Sequence, residues 1–170
     1  MAAASLLGAS SDDNRLLIVQ QGTNDAKIAI EGSRNTVTTD QDYLGGLGGR
    51  NQAETRVEGD DNFVNAQQFG SNGLKLEITG NRNNAAGNFA ALIPAGTQPG
   101  YYLQEGFNSR IDGRITGNAN LSGAQQLGDS NLIVFLVSGD DNEAYFQQFG
   151  NGNTADLSQN GTANVAMFRQ

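Results

Sequence analysis

The stretch that decides the fold is Gly139 to Gly161, GDDNEAYFQQFGNGNTADLSQNG, where glycines at 139, 150 and 161 fall a constant 11 residues apart. Each opens a G-x-x-N tetrapeptide: Gly139 to Asn142, Gly150 to Asn153, Gly161 to Asn164. Gly and Asn are the residues that tolerate positive φ, so the tetrapeptide reads as a turn. Between the turns, residues at +2, +4 and +6 from Asn142 are Ala144, Phe146 and Gln148. A period of two places them on one face of a strand.

The pattern extends outward in both directions. The same step continues back through Gly128, Gly117 and Gly106, while Gly48, Gly59, Gly70 and Gly80 form a second series, and Gly22 to Gly32 is one residue shorter. The tetrapeptide recurs at Gly32 to Asn35, Gly48 to Asn51, Gly59 to Asn62, Gly117 to Asn120 and Gly128 to Asn131. Self-similarity at a fixed period indicates a repeat architecture.

The alternating segments are of two kinds. In the first, the inward triplet ends in glutamine: Leu16, Ile18, Gln20; Val64, Ala66, Gln68; Ser122, Ala124, Gln126; Ala166, Phe168, Gln170. In the second it is mostly apolar: Ala26, Ile28, Ile30; Leu74, Leu76, Ile78; Ile111 and Ile115 around Gly113, with Ser109 in the asparagine place; Ile133, Phe135, Val137. Two strands and two turns make one coil of about 22 residues, and the chain holds roughly six and a half coils of an all-β solenoid, stacked at roughly 4.8 Å. In-register stacking turns each position into a ladder of like residues, with amide ladders at the strand ends satisfying one another coil to coil.

Composition fits this reading. Gly, Asn and Gln supply 57 of 170 residues, and the chain has no His, Cys or Trp. Without Cys or His there is no disulfide framework, thiolate metal site or Ser–His catalysis, and no cofactor is implied. A net charge of −8 disfavours nucleic acid and anionic membranes, and no apolar run is long enough to span a bilayer. The Gly-Asp-Asp-Asn turns at 59–62 and 139–142 lack the regular carboxylate spacing of a glycine-rich calcium repeat, so they read as solvated turn carboxylates.

A single solenoid domain therefore spans 14–170, preceded by a flexible segment, 1–13, without a basic leader region. Insertions fall at about 42–47 and 92–101. The second holds both prolines, Pro94 and Pro99, and proline has no place in a central ladder. One strand, Leu132 to Val137, is apolar on both faces. Cover for Leu132, Val134 and Leu136 is expected from the Ile93 to Tyr102 loop or from the Ala2 to Leu7 segment of a neighbour. Outward residues of the glutamine-bearing strands form a partly apolar stripe (Phe63, Phe69, Leu121, Leu127, Tyr145, Phe149, Val165, Met167), for which cover by the long loop competes with a fibre contact.

The unit Asn142…Gln148-Phe149-Gly150-x-x-Asn153-x-Ala155-x-x-x-Gln159-x-Gly161-x-x-Asn164 resembles the curlin repeat, N-x5-Q-x-G-x-x-N-x-A-x3-Q. The N-x5-Q pair appears at Asn14/Gln20, Asn35/Gln41, Asn62/Gln68, Asn120/Gln126, Asn142/Gln148, Asn153/Gln159 and Asn164/Gln170. The second strand departs from it, ending in Ile30, Val57, Ile78, Ile115 or Val137 where the family has glutamine.

The resemblance implies a secreted, extracellular fibre subunit of biofilm matrix whose main partner is itself, with a nucleator subunit and a dedicated secretion channel as further partners. The fourteen amides are the expected self-assembly ladder. Gly22, Gly32, Gly48, Gly59, Gly70, Gly106, Gly117, Gly128, Gly139, Gly150 and Gly161 are the expected turn glycines. Open terminal coils would add head to tail. The alternative is a soluble solenoid binding module or adhesin; an enzyme is more remote.

Overall fold

The computed structural model describes residues 3–10, 13–43, 49–85 and 97–170, with the backbone alone for 3–10 and Tyr43. Its strands are β1 (Ala3–Ser10), β2 (Arg15–Gly22), β3 (Asn24–Glu31), β4 (Thr36–Tyr43), β5 (Asn51–Glu58), β6 (Phe63–Thr79), β7 (Tyr101–Thr116), β8 (Leu121–Leu127), β9 (Leu132–Ser138), β10 (Glu143–Phe149), β11 (Thr154–Asn160) and β12 (Val165–Arg169). Every pairing among them is parallel, and each strand pairs with one a full coil away. The result is the all-β solenoid that the 11-residue step predicts.

Two stacks of strands form the walls. The glutamine wall runs β2, β4, the first half of β6, the first half of β7, β8, β10, β12. The aliphatic wall runs β1, β3, β5, the second halves of β6 and β7, β9, β11. β6 and β7 run through the corner, with Gly70 and Gly106 at positive φ where the chain turns.

The core lies between the walls. Ile28, Ile30, Val57, Leu76, Ile78, Ile111, Ile115, Ile133 and Val137 are buried on one side, and Val37, Val64, Ala66, Tyr102, Ala124, Ala144 and Phe146 on the other. Towards the C-terminal coils the filling becomes aromatic, with ring centroids 5.4 Å apart for Phe135 and Phe146 and 5.2 Å for Phe146 and Phe168. Phe135 fits because the residue beneath it is Gly113, whose missing Cβ would lie 2.3 Å from the ring.

Three placements differ from the sequence reading. The segment before Asn14, expected to be flexible, contributes β1, which pairs with β3 from Ala3 to Ser10. In the insertion expected at 42–47, Asp42 and Tyr43 still belong to β4, and residues 44–47 lie outside the described residues, as does Gly48.

For the insertion expected at 92–101, residues 92–96 also lie outside the described ones. The ladder is left after Asn84 and resumed at Gly100: the Asn65 amide donates to the Gly100 carbonyl at 2.7 Å, and the Asn84 side-chain oxygen accepts from the Ser122 amide at 2.7 Å. A side-chain carbonyl thus serves the ladder at the gap. The Gln98 carbonyl lies where a Cβ on Gly123 would meet it at 2.4 Å, and the outward Leu121 and Tyr145 are buried on that face. The described end of the insertion therefore lies against the glutamine wall. Val134 and Leu136, on the opposite wall, stay 37% and 43% exposed, which corrects the expectation that this loop covers them.

Candidate self-assembly ladders

Stacking brings the inward glutamines into one column. Gln20, Gln41, Gln68, Gln104, Gln126, Gln148 and Gln170 are joined by six side-chain bonds, each Nε2 donating to the Oε1 one coil further on, at 2.8, 2.8, 2.9, 2.9, 2.9 and 3.1 Å. Gln41, Gln68, Gln104, Gln126 and Gln148 also donate Nε2 to a carbonyl of the opposite wall, as Gln41 does to Asp25 at 3.1 Å and Gln148 to Leu132 at 3.2 Å. A backbone carbonyl only accepts, so this second bond fixes which amide atom is nitrogen and gives the ladder one direction.

Asparagines hold the corner that enters the glutamine wall. Asn14, Asn35, Asn62, Asn83, Asn120, Asn142 and Asn164 form a second column, in which each backbone amide donates to the Oδ1 one coil earlier, at 2.9 to 3.1 Å. Each Nδ2 from Asn14 to Asn142 donates to a glycine carbonyl of the following coil, for example Asn62 to Gly80 at 2.8 Å. The glutamine donors point towards the C-terminal coils and these asparagine-bound amides towards the N-terminal ones. The two columns are antiparallel.

The other corner carries Asn24, Asn51, Asn72, Ser109, Asn131 and Asn153 in the same manner. Asn153 therefore belongs to this corner. Gln159 is not brought into the glutamine column: it pairs with Val137 and caps the aliphatic series Ile30, Val57, Ile78, Ile115, Val137. Its Nε2 donates to the Glu143 carbonyl at 3.1 Å, while its buried Oε1 has no partner.

The sequence reading left Asn83 and Gln104 out of the ladders, and at the other corner Asn24, Asn51, Asn72 and Asn131. The insertion removes the asparagine six residues before Gln104, and Asn72 follows its glycine after one residue instead of two. A signal for Gln104 existed in Gln104-x-Gly106, the same Q-x-G as Gln20, Gln68, Gln126 and Gln148 carry.

Turn glycines stack on one another as tightly as the amides do. Gly22, Gly32, Gly59, Gly70, Gly106, Gly117, Gly128, Gly139, Gly150 and Gly161 all have positive φ, and a Cβ on Gly117 would lie 2.1 Å from the Gly139 carbonyl. The residue before each asparagine of the column from Asn14 to Asn164 is also left-handed, from Asp13 and Arg34 to Ala163. Here Arg34 grips the Asp61 carboxylate with two bonds of 2.7 Å. That contact holds the Asp61 carboxyl below the usual carboxylate range and raises the Arg34 guanidinium. Asp60 accepts from the Ser33 amide and Asp140 from the Asn118 amide, so these turn carboxylates serve coil-to-coil bonds.

The corner and ladder columns repeat glycine, asparagine and glutamine from coil to coil, and a family model, that of the curlin associated repeat, matches residues 138–161. One stretch of the chain is thus similar to the curlin associated repeat. No curated protein and no solved structure matches the chain. The matched unit comprises β10, β11 and the turns on either side, so the match falls on one full coil.

Proposed function

We propose that the chain is a structural, non-enzymatic subunit that adds end to end into extracellular fibres of the curli type. One observation carries the reading: the glutamine ladder has a direction and two unlike ends. At Gln20 the ladder presents an Oε1 acceptor, and at Gln170 an Nε2 donor. Among the described residues, the outer strands β2 and β12 of the glutamine wall are each hydrogen-bonded on one side only. Open parallel edges are templates for another chain, and unlike ends join head to tail without closing into a ring. Phe168 and Gln159 add a half-buried aromatic step and an unpartnered amide oxygen at the same end.

Gln170→Lys keeps the ladder's other five bonds and places a charge at the joint. Seeded elongation, followed by light scattering or a fibre-binding dye, is expected to slow by about tenfold or more, since a like charge then recurs along the axis. Wild-type elongation by this variant would overturn the end-on reading.

A further inference from the structure

The outer face of the aliphatic wall carries a charge pattern that fits a second copy of itself. Two outward columns run along it, Lys27, Glu54, Lys75, Asp112, Val134, Asp156 and, two residues further along each strand, Ala29, Arg56, Glu77, Arg114, Leu136, Ser158. Signs alternate down each column and oppose across each coil: Glu54 beside Arg56, Lys75 beside Glu77, Asp112 beside Arg114. The ion pairs between these columns and along them are long, at 3.4 Å for Lys27–Glu54, 3.5 Å for Lys75–Glu77 and 3.9 Å for Arg114–Glu77. Arg56 also reaches Glu58, and Arg110 donates to Asp112 at 2.8 Å, both along a single strand and both solvent-accessible. On the next coil the same two positions are the exposed Val134 and Leu136.

We infer that two solenoids pair side by side through this face, related by a two-fold axis parallel to the stacking direction. Such an axis reverses strand direction while keeping coil opposite coil. Each first-column residue then meets the second-column residue of the same coil in the other copy. Glu54 faces Arg56 of the second copy, Lys75 faces Glu77, Asp112 faces Arg114, and Val134 faces Leu136. Each contact occurs twice, and the apolar residues that the chain leaves uncovered become covered.

The alternation also sets the register. A slip of one coil places Glu54 against Glu77, Arg56 against Lys75, Lys75 against Arg114 and Glu77 against Asp112, so every one of these contacts becomes repulsive. Like charges set against each other suppress wrong pairings more strongly than single exposed pairs stabilise right ones. An arrangement with the two chains reversed end for end can match Lys27 with Asp112 and Glu54 with Lys75, but it sets Val134 and Leu136 opposite the register positions of Ser5 and Leu7 instead of against each other.

Sedimentation of soluble chains, before any fibre forms, tests the face independently of end-on growth. The Arg114→Asp substitution sets a second carboxylate against Asp112 of the other copy and is expected to weaken pairing by about tenfold or more. The double exchange Asp112→Arg with Arg114→Asp, which keeps opposite signs facing, is expected to restore it. Circular dichroism verifies that both variants fold. A spin label on Ser158→Cys reads the axis: the parallel pair brings the two labels within about 20 Å, whereas the reversed arrangement separates them by seven coils, roughly 34 Å. Failure of the exchange to restore pairing, a label distance near the larger value, or an absence of paired chains at high concentration overturns the inference.

Discussion

At the scale of single residues, the interior holds a few polar atoms that the ladders do not use. The hydroxyls of Thr39 and Thr55 are buried in the core columns, between Ile18 and Ala66 and between Ile28 and Leu76, with no hydrogen-bond partner. Thr55→Val keeps the β-branched shape and removes the orphan group. The denaturation midpoint should rise by the equivalent of about 1 kcal/mol.

Tyr102 shows the reverse case, a hydroxyl that is served. Its oxygen lies 2.5 Å from the Ser122 hydroxyl and 3.4 Å from the Asn84 Nδ2, and burial pushes the phenol up to about 12 in spite of both contacts. Because the folded state favours the protonated phenol, its stabilisation is complete below the ordinary value of 10.0 and is lost as pH rises towards the folded value. Tyr145, raised by burial and by the nearby Glu143, acts in the same direction. Melting temperatures are expected to fall steeply between these limits, and less steeply in Tyr102→Phe.

At the scale of elements, the strand-and-turn alternation is legible in the sequence because each rung needs one residue type at one position. Gly139, Asn142 and Gln148 state a turn and the strand that follows it in ten residues. Interruptions are harder to read, since the sequence marks where regularity stops and says little of which wall the excursion lies against. Val134 and Leu136 are apolar enough to call for cover, yet the insertion's described end approaches Gly123, where a glycine lets backbone come close. β1 is illegible for a related reason: its residues include neither turn asparagine nor ladder glutamine, and what the structure shows of it is the backbone pairing with β3.

Between β7 and β9, size complementarity is the local rule. Gly113→Ala should cost about 1–3 kcal/mol by overpacking against Phe135. Combined with Phe135→Leu, which withdraws the ring, the loss should be smaller than the sum of the single effects, and a double-mutant cycle of denaturation midpoints measures the coupling.

At the scale of the whole molecule, the antiparallel sense of the glutamine and asparagine columns gives the solenoid a top and a bottom that differ chemically while their axial dipoles oppose. The walls differ as well: one side is sealed by an amide column and the other by aliphatic side chains. Amide rungs resist slippage because each donor from Gln41 to Gln148 has a partner on the next coil and a second on the opposite wall, whereas aliphatic rungs fix only shape. Gln68→Leu should therefore be more damaging than its size suggests. It leaves the Gln41 Nε2 and the Gln104 Oε1 without their rungs, a cost of about 1–3 kcal/mol for each buried group, and urea denaturation reads the sum.

The gap at Asn84 and Gly100 has a practical consequence. Both rims are pinned by ladder bonds to Asn120, Ser122 and Asn65. Lengthening a closed excursion is inexpensive, about 0.6 kcal/mol per doubling. Foreign peptide spliced between these rims should leave the melting temperature within a few degrees of the parent. A scaffold of this kind would display its cargo once per subunit, at a fixed height and on one side.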